Sequence, residues 1–376
     1  MIYSLPYIIL ALLFLIIWFF FEKRGKNVSA FCSIIFIFFY GFRGFVAWDW
    51  MSYYTRFNLP VEFITDVYSS ELGFAWTCII IKSIFDNYHF FIFVLTIIDL
   101  WLLFKIFKRY AKRNIALMFF FFVVFYTPSE IDLLRNFKAI LLFYFSLQYY
   151  IDRKYLKYIL INLIGLSFHS SSIIYLVISF IIFRQLNRKL ILLLFIIGNV
   201  LFLKQEGIFT LIFEKISSIY DIGIYQVLFD GYLNSDKFSS QYGVSFGYIE
   251  RLISFVFVYK FYNLIISKDK KREPVINLFY SFIFINLYFS DLTIVVERMG
   301  NLFRFSYIIL CPVIYDSINL KFLKKTYLGF IIIFSITRFH VFTNNIFYEY
   351  ENILFGAKSY FERKALIEKY IDDVDQ

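Results

Sequence analysis

Long apolar runs, almost free of charge, follow one another through most of this chain. Runs of that kind are continuous rather than alternating, so they predict membrane-crossing helices and not the strands of a barrel. They fall at about 3–21, 28–42, 88–107, 114–127, 137–151, 158–183, 190–203, 248–267, 275–293, 302–316 and 326–339. A twelfth, 74–85, is short and carries Lys82, and reads as re-entrant or interfacial. The expected fold is all-α, a polytopic integral membrane protein with about 10–12 transmembrane or re-entrant helices. Composition closes the alternative. The chain is 60% hydrophobic and holds 54 Phe and 31 Tyr, whereas a soluble globular chain is roughly 45–50% apolar.

The net charge of +10 is no nucleic-acid footprint, because the basic residues sit in short clusters between apolar runs. Six clusters stand out: Lys23/Arg24/Lys26, Lys105/Lys108/Arg109/Lys112/Arg113, Arg153/Lys154/Lys157, Arg184/Arg188/Lys189, Lys268/Lys270/Lys271/Arg272 and Lys321/Lys324/Lys325. The positive-inside rule places all six in the cytoplasm. Loops near 43–87, 127–136, 204–247 and 291–301 then face outward. This assignment requires run 158–183 to enter and leave on one side, as a broken or re-entrant hairpin turning near Ser167–Ser172. Backbone of that kind is tolerated only inside protein or along a watery cavity, which points to a cavity at His169. The alternative is one long tilted helix that would expose Lys268–Arg272 outside. The first run lacks a basic leader and reads as a retained span. The membrane domain is expected over 1–340, with an amphipathic C-terminal tail over 341–376. Cys32, Cys78 and Cys311 give no disulfide framework, and the three histidines give no metal spacing.

The stretch 41–57, GFRGFVAWDWMSYYTRF, places Arg43 at the end of an apolar run, then Asp49 between Trp48 and Trp50, then Tyr53. Arginine grips phosphate oxygens in a fork, a carboxylate accepts a hydroxyl proton, and indole and phenol rings stack on sugars. The competing reading is an interfacial aromatic belt with a snorkelling arginine. Arg135 stands at the mouth of run 137–151, with Asp132 three residues earlier as its expected helix-face partner. His169 lies at membrane depth, where ionisable groups are costly and default to function, although a lone histidine is more often a hydrogen-bonded interior residue. In VVERMGNLFRF, Glu297, Asn301 and Arg304 fall on one helical face with Arg298 beside them; an intrahelical ion-pair ladder is the competing reading, and it ranks below function because the helix is otherwise apolar. Arg338, near His340, is a weaker signal. Several arginines on one side suit a diphosphate, with Asp49, His169 or Glu297 as candidate bases. No nucleotide-binding glycine loop and no metal-spaced carboxylates appear.

The order Arg43, Asp49-Trp50, Tyr53, Phe57 resembles the first outer-loop motif of the EpsG family, the Wzy-like bacterial polysaccharide polymerases. Glu71-Leu72-Gly73-Phe74 resembles its acidic-x-Gly-aromatic step. Arg135 through Arg153-Lys154-Tyr155 to Phe168-His169-Ser170 resembles its arginine helix followed by "FH-S". Glu297-Arg298 resembles its late arginine motif. The resemblance runs from about residue 30 to 345. Departures are Ala47 where the family often has Gly, Trp50 where Tyr is usual, and Ser170-Ser171-Ser172 where x-Ser-Ala is expected.

The resemblance implies a glycosyltransferase of the integral-membrane, GT-C-like kind in the bacterial cytoplasmic (inner) membrane, with its site facing the periplasm or exterior. It implies that undecaprenyl-diphosphate-linked oligosaccharides serve as donor and acceptor, joined into O-antigen, capsule or exopolysaccharide. Its expected surroundings are the lipid bilayer, with a chain-length regulator as a candidate further partner and no nucleic acid or cofactor. Arg43, Arg135 and Arg304 would hold the diphosphates. A lipid-linked oligosaccharide flippase is the rival from another class, though the chain lacks the internal repeat common in transporters. A transferase adding single sugars from a lipid monophosphate is a second rival, and a membrane acyltransferase a distant third.

Overall fold

Helices account for the regular structure throughout the computed structural model, which describes residues 3–110, 114–205, 215, 243–291, 293–343 and 345–375. Most of the expected outward loop at 204–247, with Glu206, Glu214, Asp221, Asp230 and Asp236, lies outside the described residues, as do Lys112 and Arg113 of the second basic cluster. The fold is all-α. Among the described residues, Leu5–Arg24, Tyr88–Tyr110 and Ile115–Asp132 are long and apolar enough to cross a membrane, and five further apolar helices are shorter. The chain divides into two units, each treated separately below.

The first unit comprises residues 1–179, 311–315 and 322–376. Its helices are α1 (Leu5–Phe20), α2 (Ser29–Phe36, prolonged by a π turn to Gly41), α3 (Trp50–Phe57), α4 (Val61–Val67), α5 (Leu72–Ile84), α6 (Tyr88–Tyr110), α7 (Ile115–Asp132), α8 (Leu134–Ile151), α9 (Tyr155–Phe168) and α10 (Ile173–Ile182, to Ser179 in this unit). The helix α7 is buried nearly all round, as befits a helix apolar on every face. It packs against α1, α2, α6 and α8.

One end of this unit gathers basic residues. The Glu22 carboxylate accepts from the backbone N–H groups of Ile115 and Ala116, and so satisfies donors that the first turn of α7 leaves open. Trp18 donates to Asn114 at 2.9 Å and meets Tyr315 edge-on. The Lys324 ammonium lies 4.2 Å from that tyrosine ring. Lys105 and Arg109, late in α6, line a cleft with Tyr144 and Gln148 of α8. At the opposite end, the start of α1 meets Thr343 and Tyr348. There too the end of α7 meets Trp48 and Asp49.

The 26-residue run 158–183 is broken where the charge pattern requires it. Helix α9 stops at Phe168, His169 is extended (φ −157°), Ser170–Ser172 form a 3₁₀ turn, and α10 follows. The Tyr158 hydroxyl donates to the Tyr175 carbonyl at 3.2 Å and also bonds Ser179, so the chain doubles back on itself. His169 sits at the bend.

The C-terminal segment docks on the first loop of the same unit. Gly44 N–H donates to Glu351 O at 2.9 Å, Ala47 N–H to Phe347 O at 2.7 Å and Ile353 N–H to Phe42 O at 2.9 Å. Phe347 stacks on Trp48 with centroids 3.5 Å apart. Beyond it, Lys358 pairs with Glu351, and the fully buried Arg363 pairs with Glu349 and donates to Ile346 O at 2.7 Å. Arg363 belongs to a final helix, Tyr360–Asp375.

The second unit comprises residues 180–310 and 316–321. It holds α11 (Arg188–Lys204), α12 (Phe246–Lys268), α13 (Glu273–Tyr288), α14 (Thr293–Arg304) and the start of α15 (Ser306–Ser317). Phe195 stacks on Phe255 at 3.6 Å, and Tyr288 donates to Leu194 O at 2.6 Å. Gly198 permits this approach, because a Cβ there would stand 2.9 Å from the Tyr288 ring. The remaining long helix, α16 (Lys321–Phe339), belongs to the first unit from Phe322 onward.

Candidate active site

At the non-basic end of the first unit, three separate sequence features converge on one carboxylate. Glu71 is 3% exposed and stands immediately before α5, where the helix dipole favours negative charge. It takes an ion pair from Arg135, in the first turn of α8, and a hydrogen bond from His169 Nδ1 at the end of α9. Arg135 Nε donates to the Tyr53 hydroxyl at 3.4 Å, and its guanidinium lies over the Tyr53 and Tyr68 rings. Arg56 lies over the same Tyr68 ring at 5.5 Å. An aromatic floor of Tyr53, Phe57, Tyr68, Phe74 and Phe91 supports the group from beneath.

The electrostatics fix the protonation pattern. Burial would raise the Glu71 pKa, but the hydrogen bond from His169 and the charge of Arg135 more than offset it, and the carboxyl is held below its ordinary value. An ionised carboxylate can only accept. His169 Nδ1 therefore donates to it, which leaves Nε2 as the ring nitrogen facing other partners. Burial raises the Asp49 carboxyl, against the opposing pull of Arg135 and Arg56. His169 and Arg135 remain 25% exposed, enough to meet a substrate.

Several residues singled out in the sequence stand elsewhere. Arg43 is not an exposed partner of Asp49. It is 4% exposed, donates to Tyr40 O at 2.6 Å and lies 3.6 Å from Glu130. Asp99 pairs with Lys138 and interacts electrostatically with Glu130, so Arg43 belongs to a buried row of four ionisable side chains. A buried guanidinium demands such an anion. Asp132 does not pair with Arg135. Leu133 breaks the chain between them (φ −99°, ψ 53°), and Asp132 instead accepts from Trp48 N at 2.9 Å and Asp49 N at 2.7 Å. Trp50 is buried against Phe45 and Tyr360, while Trp48 stays half-exposed on Phe347. Arg338 stacks on Phe125 at 5.5 Å.

In the second unit, Glu297 and Arg298 on α14 are exposed and Asn301 is buried. Glu297 and Arg304 line a cavity with Arg251. Arg43, Arg135 and Arg338 belong to the first unit, and Arg298 and Arg304 to the second.

Glu71, Arg56 and Tyr68 carried no assigned role in the sequence. The acidic-x-Gly-aromatic step was the available signal for Glu71. Its Gly73 lies directly against Ser167 of α9, so the glycine lets α5 approach closely enough for Glu71 to reach His169.

The model of the EpsG family matches residues 26–352. The chain belongs to the EpsG family. This EpsG-family protein is thus a membrane protein of polysaccharide biosynthesis, of polymerase-like character. No curated protein and no solved structure matches it. Membership also illuminates Ala47, where the family often has Gly. Its φ is +75°, in the left-handed region that glycine enters without steric cost.

Proposed function

We propose that this protein joins undecaprenyl-diphosphate-linked oligosaccharide repeat units into a surface polysaccharide, on the outer face of the bacterial cytoplasmic membrane. The observation that carries this reading is Glu71, held between His169 and Arg135 at the end of the unit opposite its basic clusters. Positive residues mark the cytoplasmic side, so the site faces outward, where finished repeat units are displayed.

The geometry supports the following chemistry. The acceptor hydroxyl gives its proton to His169 Nε2 as its oxygen attacks the donor's anomeric carbon. The bond from that carbon to the diphosphate oxygen breaks, and its electron pair leaves with the diphosphate. Arg135 and Arg56 receive that charge. Glu71 orients the imidazole and stabilises it once protonated. Asp49 accepts a sugar hydroxyl, and Tyr53 fixes the arginine.

Complementation of a polymerase-deficient strain tests the assignment. Arg135→Ala and His169→Gln proteins should insert at normal abundance yet leave single repeat units on the lipid, facing outward. Full-length polymer from both variants refutes the site. Repeat units trapped on the inner leaflet would instead mark a flippase.

A further inference from the structure

The second unit contains a cavity of about 190 Å³ lined by Phe202, Ser245, Arg251, Asn286, Ser290, Glu297 and Arg304 with Val296. These residues come from α11, the start of α12, the end of α13 and α14. Two guanidinium groups against one carboxylate give the lining a single net positive charge. A diphosphate would call for more. The remaining groups suit a polyol. Asn286 Nδ2 is committed to Phe282 O at 2.8 Å, so its carbonyl oxygen is what it offers to a hydroxyl. Ser290 is buried beside it. Ser245 caps α12 by accepting from Tyr248 N at 3.2 Å, which leaves its own O–H able to donate. Phe202 is fixed by a 4.5 Å stack on Tyr248 and supplies an apolar wall. Gly247 lies 3.4 Å, measured from an added Cβ, from an Arg251 nitrogen, so the arginine folds back over the first turn of α12.

A singly charged anion, several hydroxyls and one apolar face together describe an acidic sugar. We infer that this cavity binds a pyranose bearing a carboxylate or a phosphodiester, with the anion on Arg251 and Arg304 and the ring hydroxyls on Asn286, Ser290 and Glu297. The inference rests on the polymerase reading to make that sugar a unit of the growing glycan, so that the polysaccharide is itself anionic. The same headgroup chemistry is carried by phosphatidylglycerol, a polyol phosphate of the bilayer.

Direct binding distinguishes these sources without any polymer being made, so its outcome is independent of the polymerase assignment. Full-length protein in nanodiscs of zwitterionic lipid is titrated with glucuronic acid, galacturonic acid and glucose, and thermal stability is read. Either acidic sugar should stabilise the protein at concentrations about tenfold or more below glucose, as expected for one charge-assisted contact. Arg251→Gln and Arg304→Gln should each raise the concentration required by about tenfold or more. Should an arginine variant fail to fold, Ser290→Ala and the wild-type selectivity still decide. Glucose matching the acidic sugars overturns the inference, as do responses unchanged in every variant. Loss of the sugar response in phosphatidylglycerol nanodiscs also overturns it, since the cavity would then belong to lipid.

Discussion

Gly73 and Ser167 stand so close that a Cβ on Gly73 would lie 2.9 Å from the Ser167 Cβ and 3.1 Å from its carbonyl carbon. That proximity brings Glu71, two residues before the glycine, onto His169, two residues after the serine. Gly73→Ala must push α5 and α9 apart, and overpacking of this kind costs about 1–3 kcal/mol. The expected result is a stable, inserted protein with polymer formation reduced at least as strongly as its stability. Adding Ser167→Gly should restore part of the polymer. Gel analysis of lipid-released glycan reads both variants; an unaffected Gly73→Ala would remove the glycine from the argument.

Glu71 also couples the site to pH. Its folded-state pKa lies below its ordinary value of 4.5. Its ionised form is therefore worth more in the folded state than in the unfolded one. The associated stability is fully present above pH 4.5 and is lost as pH falls through the lower folded value. The melting advantage of the wild type over Glu71→Gln should be constant near neutrality and shrink as the buffer is taken below 4.5. A gap that widens on acidification would contradict the ionised carboxylate.

The buried row Arg43–Glu130–Asp99–Lys138 makes a sharper prediction. Lys138 pairs with Asp99, and both side chains are almost fully buried. Removing one partner of such a pair leaves the other uncompensated. Lys138→Met and Asp99→Asn should therefore each cost about 3–5 kcal/mol. The Asp99→Asn/Lys138→Met double variant should lose clearly less than its two singles combined, because neither charge is then stranded. Thermal unfolding in detergent measures all three, and a double variant that loses the full sum would sink the pairing.

Ala47 adopts φ +75°, a conformation that costs an L-residue roughly 1–2 kcal/mol. Glycine recovers this less its own greater loss of freedom on folding, about 0.5–1 kcal/mol. Ala47→Gly should therefore leave polymer formation intact and raise the melting temperature slightly. A clear drop would mean that the methyl group is needed for packing.

Local sequence carried the hairpin at His169, because a run of 26 residues bounded by basic clusters at both ends admits few other paths. It singled out Arg135 and Tyr53, which the fold brings into hydrogen-bond contact, and Glu297 and Arg304, which line one cavity. It did not carry the destination of Arg43, whose anion lies on a different helix and enters only through tertiary packing. The assumed Asp132–Arg135 pair required one continuous helix, and the turn at Leu133 separates them into α7 and α8. Glu71 was visible only as part of a motif, since no spacing rule links it to a histidine 98 residues away.

Asn352 bridges to Arg43, and Phe347 to Trp48, so the loop carrying Asp49 is braced by residues far along the chain. A ribosome delivers that loop long before its brace, and the hydrogen bonds of Gly44 and Ala47 have no acceptors until Phe347 and Glu351 are synthesised. A chain interrupted before Phe347 would keep its anchoring helices and lack this brace. Assembly is thereby tied to a late segment: a truncated product could insert and still never close its own workshop.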